Sequence, residues 1–460
     1  MKFSSSWLSP ARKEEAVSGG LEAVEFGPLL VLLAVAVAVR LLWLDQVPAN
    51  VMPDEADNMA DVYHILAGTG PGLIGFDWTQ LPALNVYLMA GFVKLFGLSV
   101  VGMRMSVVVT SSLAVVPFYL LARRLVSPVP ALFSTLLFST GLWYLNFSRT
   151  AWSNVHVVLF GLITVWLLLE ALDRQDILLY GLAGAGLALT LYGYYAGRGT
   201  AVAILLLLPV GIVLHKAEWR KVVTGYSLML IVAILLFLPQ GLLILHDWGY
   251  SNTRISSVSI FQQSPPYLGQ TDPIKLLLLQ SERIGRAFLL LNGSLFDTPR
   301  YTPAGSPPVD YATGALYLAG MVLGLAFLRE SLVWYLLLLV PLFITQVLSI
   351  LTPDTGRAIV VVPVIYLFAA LSLQILWQMG LQRGFAPAVV LVVVAMAAFN
   401  LWWYFDWSRS PYTAYVRQPA VEYSEFAQWQ RLQMERASRG ERGFTVTEWH
   451  EMRKATATTP

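Results

Sequence analysis

Met52-Pro53-Asp54-Glu55-Ala56-Asp57 follows directly on a long apolar segment and opens a short helical pattern that carries on to Asp61 and His64. Asp54, Glu55, Asp57 and Asp61 put four carboxylates within eight residues, in a chain of which only 13% is charged. Proline at the first helical position, followed by acids, is a common helix start, because the acids complement the helix dipole. That alone does not explain why the helix begins at the edge of an apolar span, with Val51 and Met52 leading into it. A carboxylate held beside lipid is poised for general-base work, worth roughly 10²–10⁴-fold in rate, or for electrostatic steering of an acceptor hydroxyl or amine. Asp54 is the candidate base. Glu55 would orient it or bind substrate.

Outward from this stretch the chain reads as membrane. Of its 460 residues 57% are hydrophobic, and the mean hydropathy is +0.63. Soluble domains are roughly half apolar and about a quarter charged, so an all-α polytopic membrane protein is expected. There is no cysteine, which excludes disulfides and thiolate metal sites. A net charge of +2 gives no sign of a nucleic-acid partner. The first apolar run, Phe26 to Leu44, has no small-residue cleavage site after it and reads as an uncleaved span.

A spanning helix needs about 20 mostly apolar residues. On that basis eleven spans are expected, near 27–44, 105–122, 129–147, 155–171, 177–194, 200–214, 222–243, 311–328, 331–350, 357–378 and 385–405. This leaves a cytoplasmic N-terminal tail at 1–26, a transmembrane domain at 27–405, long external loops at 45–104 and 244–310, and a short external tail at 406–460. Segment 82–98 is long enough to suggest another crossing. If it lies along the membrane surface instead, Arg123-Arg124, Asp173-Arg174, Lys216 with Arg220-Lys221, Arg329 and Arg383 all fall inside, as the positive-inside rule requires. It is therefore expected to be interfacial or re-entrant. Loop 244–310 carries an amphipathic stretch, Ile274 to Leu291, stopped by Asn292-Gly293, and suits a surface lid. The tail has a charged helical pattern from Val421 to Ser438.

The charges left on the outer side include Asp54, Glu55, Arg149, Arg198 and Arg357. Several arginines beside a carboxylate cluster at an apolar boundary suit an anionic ligand such as a phosphate, which the planar guanidinium grips well. Each motif also has a plainer explanation. Asn146-Phe147-Ser148-Arg149 and Tyr192-Gly193-Tyr194-Tyr195-Ala196-Gly197-Arg198 are outer turns where aromatic anchors and a snorkelling arginine are ordinary. In Thr352-Pro353-Asp354-Thr355-Gly356-Arg357 the acid and the base could simply pair. Asp57, Asp61 and His64 share a helix face and are weak divalent-metal candidates, a solvated polar face being the favoured reading. No cofactor is expected.

In their order and spacing these motifs resemble the polyprenyl-phosphate-sugar-dependent membrane glycosyltransferases of the GT-C fold, which include protein O-mannosyltransferases and lipid A aminoarabinose transferases. The resemblance rests on Arg40-Leu41 with Leu44 and Val47-Pro48; Pro53-Asp54-Glu55-Ala56; Pro82 with Tyr87-Leu88; Lys94-Leu95-Phe96-Gly97; Arg104; Leu120-Leu121-Ala122-Arg123-Arg124-Leu125; Phe147-Ser148-Arg149; Leu191 through Arg198; and Arg357 with Pro363. It is good over 27–215 and looser through 405. It implies a GT-C fold with interfacial helices in the first external loop and a lipid-bilayer setting. It also implies a polyprenyl-phosphate sugar donor and an acceptor that is protein, lipid or glycan. By resemblance Asp54 is the catalytic acid/base residue with Glu55 beside it, Arg149 and Arg357 hold the lipid phosphate, and Arg198, Tyr194, Tyr195 and Arg104 join the substrate-binding set. The active site would face the external or periplasmic side of the plasma (inner) membrane. Gln80 and Leu81 depart from the charged residue that several relatives place before the proline. Two other readings stand beside this one: a flippase or transporter of lipid-linked saccharide, and an inactive envelope-assembly subunit.

Overall fold

A computed structural model describes residues 23–70, 72, 82–261, 269, 271–296, 301–303, 305–349, 353–410, 421 and 425–457. Gln80, Leu81 and Thr352, read above, lie outside them. The described chain is helical throughout, with only isolated two-residue β-bridges. Eight helices or continuous helical stretches are long and apolar enough to cross a membrane, rather than the eleven expected. The difference lies in Pro128–Thr140, Ile177–Gly193 and Tyr311–Ala326, which are apolar but shorter. The fold is that of a multi-span integral membrane protein.

Helix α1, Ala23–Leu41, leads into the first loop. There α2, Pro53–Leu66, and α3, Leu84–Phe96, precede the paired helices α4, Val100–Leu113, and α5, Val115–Arg123. Two ion-pair sets fix the directions. At one face Arg123 donates to Glu25 at 2.8 Å, and Arg124 and Arg174 both reach Glu170. At the other, Arg104 near the start of α4 donates to the Leu44 carbonyl beyond the end of α1. Helix α1 and the α4–α5 pair therefore run antiparallel, and the segment between them starts and ends on one face. Segment 84–96 is an apolar helix of 13 residues, shorter than a span. Its outer surface shows Leu95 and Phe96, 78% and 52% exposed. Its inner surface is pinned where Asn85 donates to the Gly193 carbonyl.

The remaining helices follow in order. They are α6, Pro128–Thr140; α7, Leu142–Phe147; α8, His156–Arg174; α9, Ile177–Gly193; α10, Gly197–Leu214; and α11, Trp219–His246. The amphipathic α12, Pro273–Leu289, lies between spans. Then come α13, Tyr311–Ala326; α14, Leu328–Leu342; α15, Val362–Arg383; and α16, Ala386–Arg409. Helix packing in a bilayer relies on small residues that let backbones approach. A Cβ on Gly320 of α13 would sit 1.8 Å from the Phe368 carbonyl oxygen of α15, and one on Gly184 of α9 would sit 2.4 Å from Met229 O of α11.

After the bundle, α17, Phe426–Ser438, and α18, Val446–Ala457, return to the first loop. Trp429 packs at 5.8 Å from Tyr63 of α2, and Thr69 donates to the Ala437 carbonyl. Val421 pairs with Val51 across an antiparallel bridge.

Gly320→Leu cannot be absorbed by a side-chain shift, because the obstacle is backbone. Overpacking of this kind costs about 1–3 kcal/mol or more. The variant is expected to lose its monodisperse peak in detergent chromatography, whereas Gly91→Leu, where a Cβ meets nothing within 4 Å, keeps it.

Candidate functional site

The first turn of α2 is built around Glu55, not Asp54. Pro53 starts the helix after an extended Met52, and Asp54 and Glu55 occupy the first turn. Glu55 is fully buried and takes a two-pronged contact from Arg104, Nε to Oε1 at 2.7 Å and Nη2 to Oε2 at 2.9 Å. The Ala151 amide donates to the same Oε1 at 2.8 Å. Arg104 spends its remaining donors on the carbonyls of Leu44 and Asn50. Both residues were expected at the substrate. They instead lock α2, α4 and the turn after α7 together, since a buried charge is tolerated only when paired.

Arg149, expected at the lipid phosphate, lies among backbone carbonyls. Its guanidinium donates to the carbonyls of Val39, Arg40, Leu42 and Val47, and sits over the rings of Tyr404 and Phe405. It is fully buried and caps the orphan carbonyls at the end of α1.

Asp54 is only partly buried, and the Tyr301 hydroxyl donates to its Oδ2 at 3.2 Å. Tyr301 comes from the far end of loop 244–310. Its ring stacks on Trp152 at 5.2 Å and leans on Phe147 at 5.4 Å, and its carbonyl accepts from Asn146. Trp152 in turn packs so closely on Gly356 that a Cβ there would lie 2.6 Å from the indole. The next residue is Arg357. Asp54 and Arg357 thus lie on one face of the molecule, on either side of a Tyr301–Trp152 stack. Nothing in the sequence singled out Tyr301, one of 20 tyrosines in the chain.

Arg357 pairs with Asp354 at 3.0 Å and donates from Nη1 to Ser349 Oγ, while its Nη2 is buried with no hydrogen-bond partner. Arg198 lies over the Tyr195 ring at 4.7 Å and makes no ion pair among the described residues. Tyr194 is buried beside Tyr195, their rings 6.5 Å apart. Gly199, one residue on, abuts Pro341, and the turn after it, Phe343–Val347, supplies Gln346, which bonds both backbone groups of Asp354. Arg198 and Arg357 therefore flank one turn. From here an apolar crevice runs into the bundle, lined by Val157, Gly161, Thr200, Leu337, Val360 and Val364.

Asp57, Asp61 and His64 are not the solvated face expected. Asp61 and His64 are 6% and 5% exposed. Burial, reinforced by Asp57, pushes Asp61 up to about 7, and burial holds His64 below its usual value. His64 Nδ1 meets Thr69 Oγ1 at 3.1 Å. Among the described residues no group of three or more His, Asp or Glu is placed to hold a metal.

Two outcomes follow. Glu55→Gln leaves Arg104 buried without its charge partner, a loss of about 3–5 kcal/mol, so thermal unfolding in detergent should fall sharply for Glu55→Gln and little for Asp54→Asn. Because folding raises the Asp61 value, the unfolded chain ionises first as pH climbs. Stability present below about pH 4 is therefore lost as pH rises through about 7. Asp61→Asn should melt progressively higher than wild type between pH 5 and pH 8; a difference that does not change with pH refutes the assignment.

Residues 81–242 match the family model described as dolichyl-phosphate-mannose-protein mannosyltransferase. A curated relative from Pseudomonas paraeruginosa, undecaprenyl phosphate-alpha-4-amino-4-deoxy-L-arabinose arabinosyl transferase, is 29% identical over 209 residues. The match covers 42% of this chain and 36% of the relative, so the chain spans about a third of that protein's length. Among solved structures, the oligosaccharyltransferase AglB of Archaeoglobus fulgidus superposes with a TM-score of 0.58 at 13% identity, over 92% of this chain and 64% of that one. ArnT of Cupriavidus metallidurans in the apo state gives 0.51 at 14%, over 91% and 78%. These likenesses concern the fold. Residues 81–242 thus resemble that mannosyltransferase family, and the helical bundle as a whole has a GT-C-like membrane fold.

Proposed function

We propose that the protein is a membrane glycosyltransferase that moves a sugar from a polyprenyl phosphate to an acceptor at the external face of the membrane. Asp54 takes the proton of the acceptor nucleophile as its oxygen or nitrogen bonds to the anomeric carbon. The bond from that carbon to the phosphate oxygen breaks, its electron pair leaves with the polyprenyl phosphate, and the centre inverts. Arg198 and Arg357 hold the phosphate. Arg149 and Arg104, expected there, have become scaffold in this reading. Counting the three shorter apolar helices with the eight spans gives eleven crossings and puts the cationic ends of α5, α8, α11 and α15 inside.

The observation that carries this reading is the placement of Asp54, Arg198 and Arg357 on one face, with the first and last joined through Tyr301 and Trp152. The match of 81–242 and the undecaprenyl-phosphate donor named for the curated relatives supply the substrate class. A flippase is less well supported, because transporters set ionisable groups on broken helices near mid-membrane, whereas these charges lie at helix ends.

In proteoliposomes supplied with labelled undecaprenyl-phosphate sugars and envelope extract, Asp54→Asn should reduce transfer by at least about 10²-fold with folding intact. Arg198→Ala and Arg357→Ala should each weaken undecaprenyl phosphate binding about tenfold or more, the scale of one lost charge-assisted contact. Normal turnover by Asp54→Asn would remove it from the mechanism, and unchanged affinity in both arginine variants would reject the phosphate role.

A further inference from the structure

We propose that Tyr301 is a positioning residue for this reaction, an inference that rests on Asp54 as the base. Four contacts hold the phenol where it is. The ring is clamped by Trp152 and Phe147, the backbone carbonyl by Asn146, and the hydroxyl meets Asp54. Tyr301 is 8% exposed, so its ring has little freedom to leave the stack.

Asp54 stands on the first turn of a helix, where a carboxylate can rotate among several rotamers. A donor fixed on Oδ2 selects one of them and sets the plane in which the carboxylate meets the nucleophile. At 3.2 Å the contact is longer than the 2.5–2.7 Å of a strong O–H···O⁻ bond. Hydrogen bonds at active sites are often long before substrate binds and tighten in the reacting complex.

The other end of the same loop reaches the phosphate side. Gln280 of α12 is fully buried and donates to the carbonyls of Gln346 and Ser349. Ser349 Oγ accepts from Arg357. Loop 244–310 therefore meets the base directly at Tyr301 and reaches the phosphate arginine only through Ser349, which α12 holds by its carbonyl. Its role is to set the base at a fixed distance from the leaving group, a geometric contribution that acts on the chemical step and not on donor affinity.

Tyr301→Phe keeps the ring and its stack and removes only the hydroxyl. With the labelled undecaprenyl-phosphate sugar that the wild type turns over, it should lower kcat about 10- to 100-fold. Donor KM should stay within about twofold and the melting temperature should not move. On the Asp54→Asn background the same change should add little, because the two residues act as one unit. A purely structural tyrosine predicts the opposite: wild-type kcat in Tyr301→Phe, with stability lost only in Tyr301→Ala. Wild-type kcat in Tyr301→Phe while Asp54→Asn is inactive overturns this inference and leaves the glycosyltransferase reading standing. So does a kcat loss matched by lowered melting temperature, or full additivity with Asp54→Asn. Normal turnover by Asp54→Asn removes both.

Discussion

The buried pair of Glu55 and Arg104 is the constraint on which the site depends. A helix first turn at a membrane edge would ordinarily fray, since its amides have no intrahelical partners. Here the third residue of that turn, Glu55, is locked by two guanidinium contacts and one amide. Neighbouring side chains on a helix diverge by about 100°. Fixing Glu55 inward therefore turns Asp54 away, toward Tyr301. The acid-acid dipeptide works as an anchor and a working group, and the anchor decides where the working group points. Removing either ion would leave the other in a medium that penalises it by several kcal/mol, which makes the anchor intolerant of change.

The arginines divide along the same line. Arg104 and Arg149 are fully buried, and both are consumed by the loop that follows α1: Arg104 takes Leu44 O and Asn50 O, and Arg149 takes the carbonyls from Val39 to Val47. A loop running over lipid cannot leave carbonyls unsatisfied, and two guanidiniums satisfy six of them. Arg198 and Arg357 do different work. One rests on an aromatic face and the other on a partly exposed aspartate, each a softer hold than a buried carboxylate.

Much of the architecture was legible because membrane imposes simple rules. Apolar length marked the helices, and charge asymmetry at loop ends showed that segment 84–96 returns to the face it left, which the Glu25–Arg123 and Leu44–Arg104 contacts bear out. The helix stop at Asn292-Gly293 matched the end of α12 within a few residues. Ile177–Gly193 and Tyr311–Ala326 lie where the expected spans put them but are only 17 and 16 residues long, and the expected span 129–147 breaks at Gly141 into Pro128–Thr140 and Leu142–Phe147. The site was legible only as residue types. Whether an outer arginine faces a ligand or a carbonyl depends on the path of a loop a hundred residues earlier, and no local pattern encodes that. Tyr301 is the sharpest case: its meaning lies in a contact across 247 positions. Asp61 was misjudged because i, i+4 spacing with Asp57 reads as a polar face, and the burial comes from packing that spacing cannot show.

The returning tail completes the argument about anchoring. Helix α2 has three sides to account for. Glu55 and Val62 face the bundle, and Asp54, Asp57 and Asp61 share a second side. On the third, Tyr63 meets Trp429, Ala60 lies under Gly443, and Thr69 bonds the end of α17. Trp429 and Trp449 are 2% and 1% exposed, so this short tail has a buried core, yet part of that core is borrowed from α2. Part of its packing is made against the helix that carries Asp54, and Gln430 adds a bond to the Leu98 carbonyl. The tail is therefore better understood as the third wall of the site scaffold than as an appended module: the bundle fixes one side of α2, the tail fixes another, and the acidic side is what remains between them.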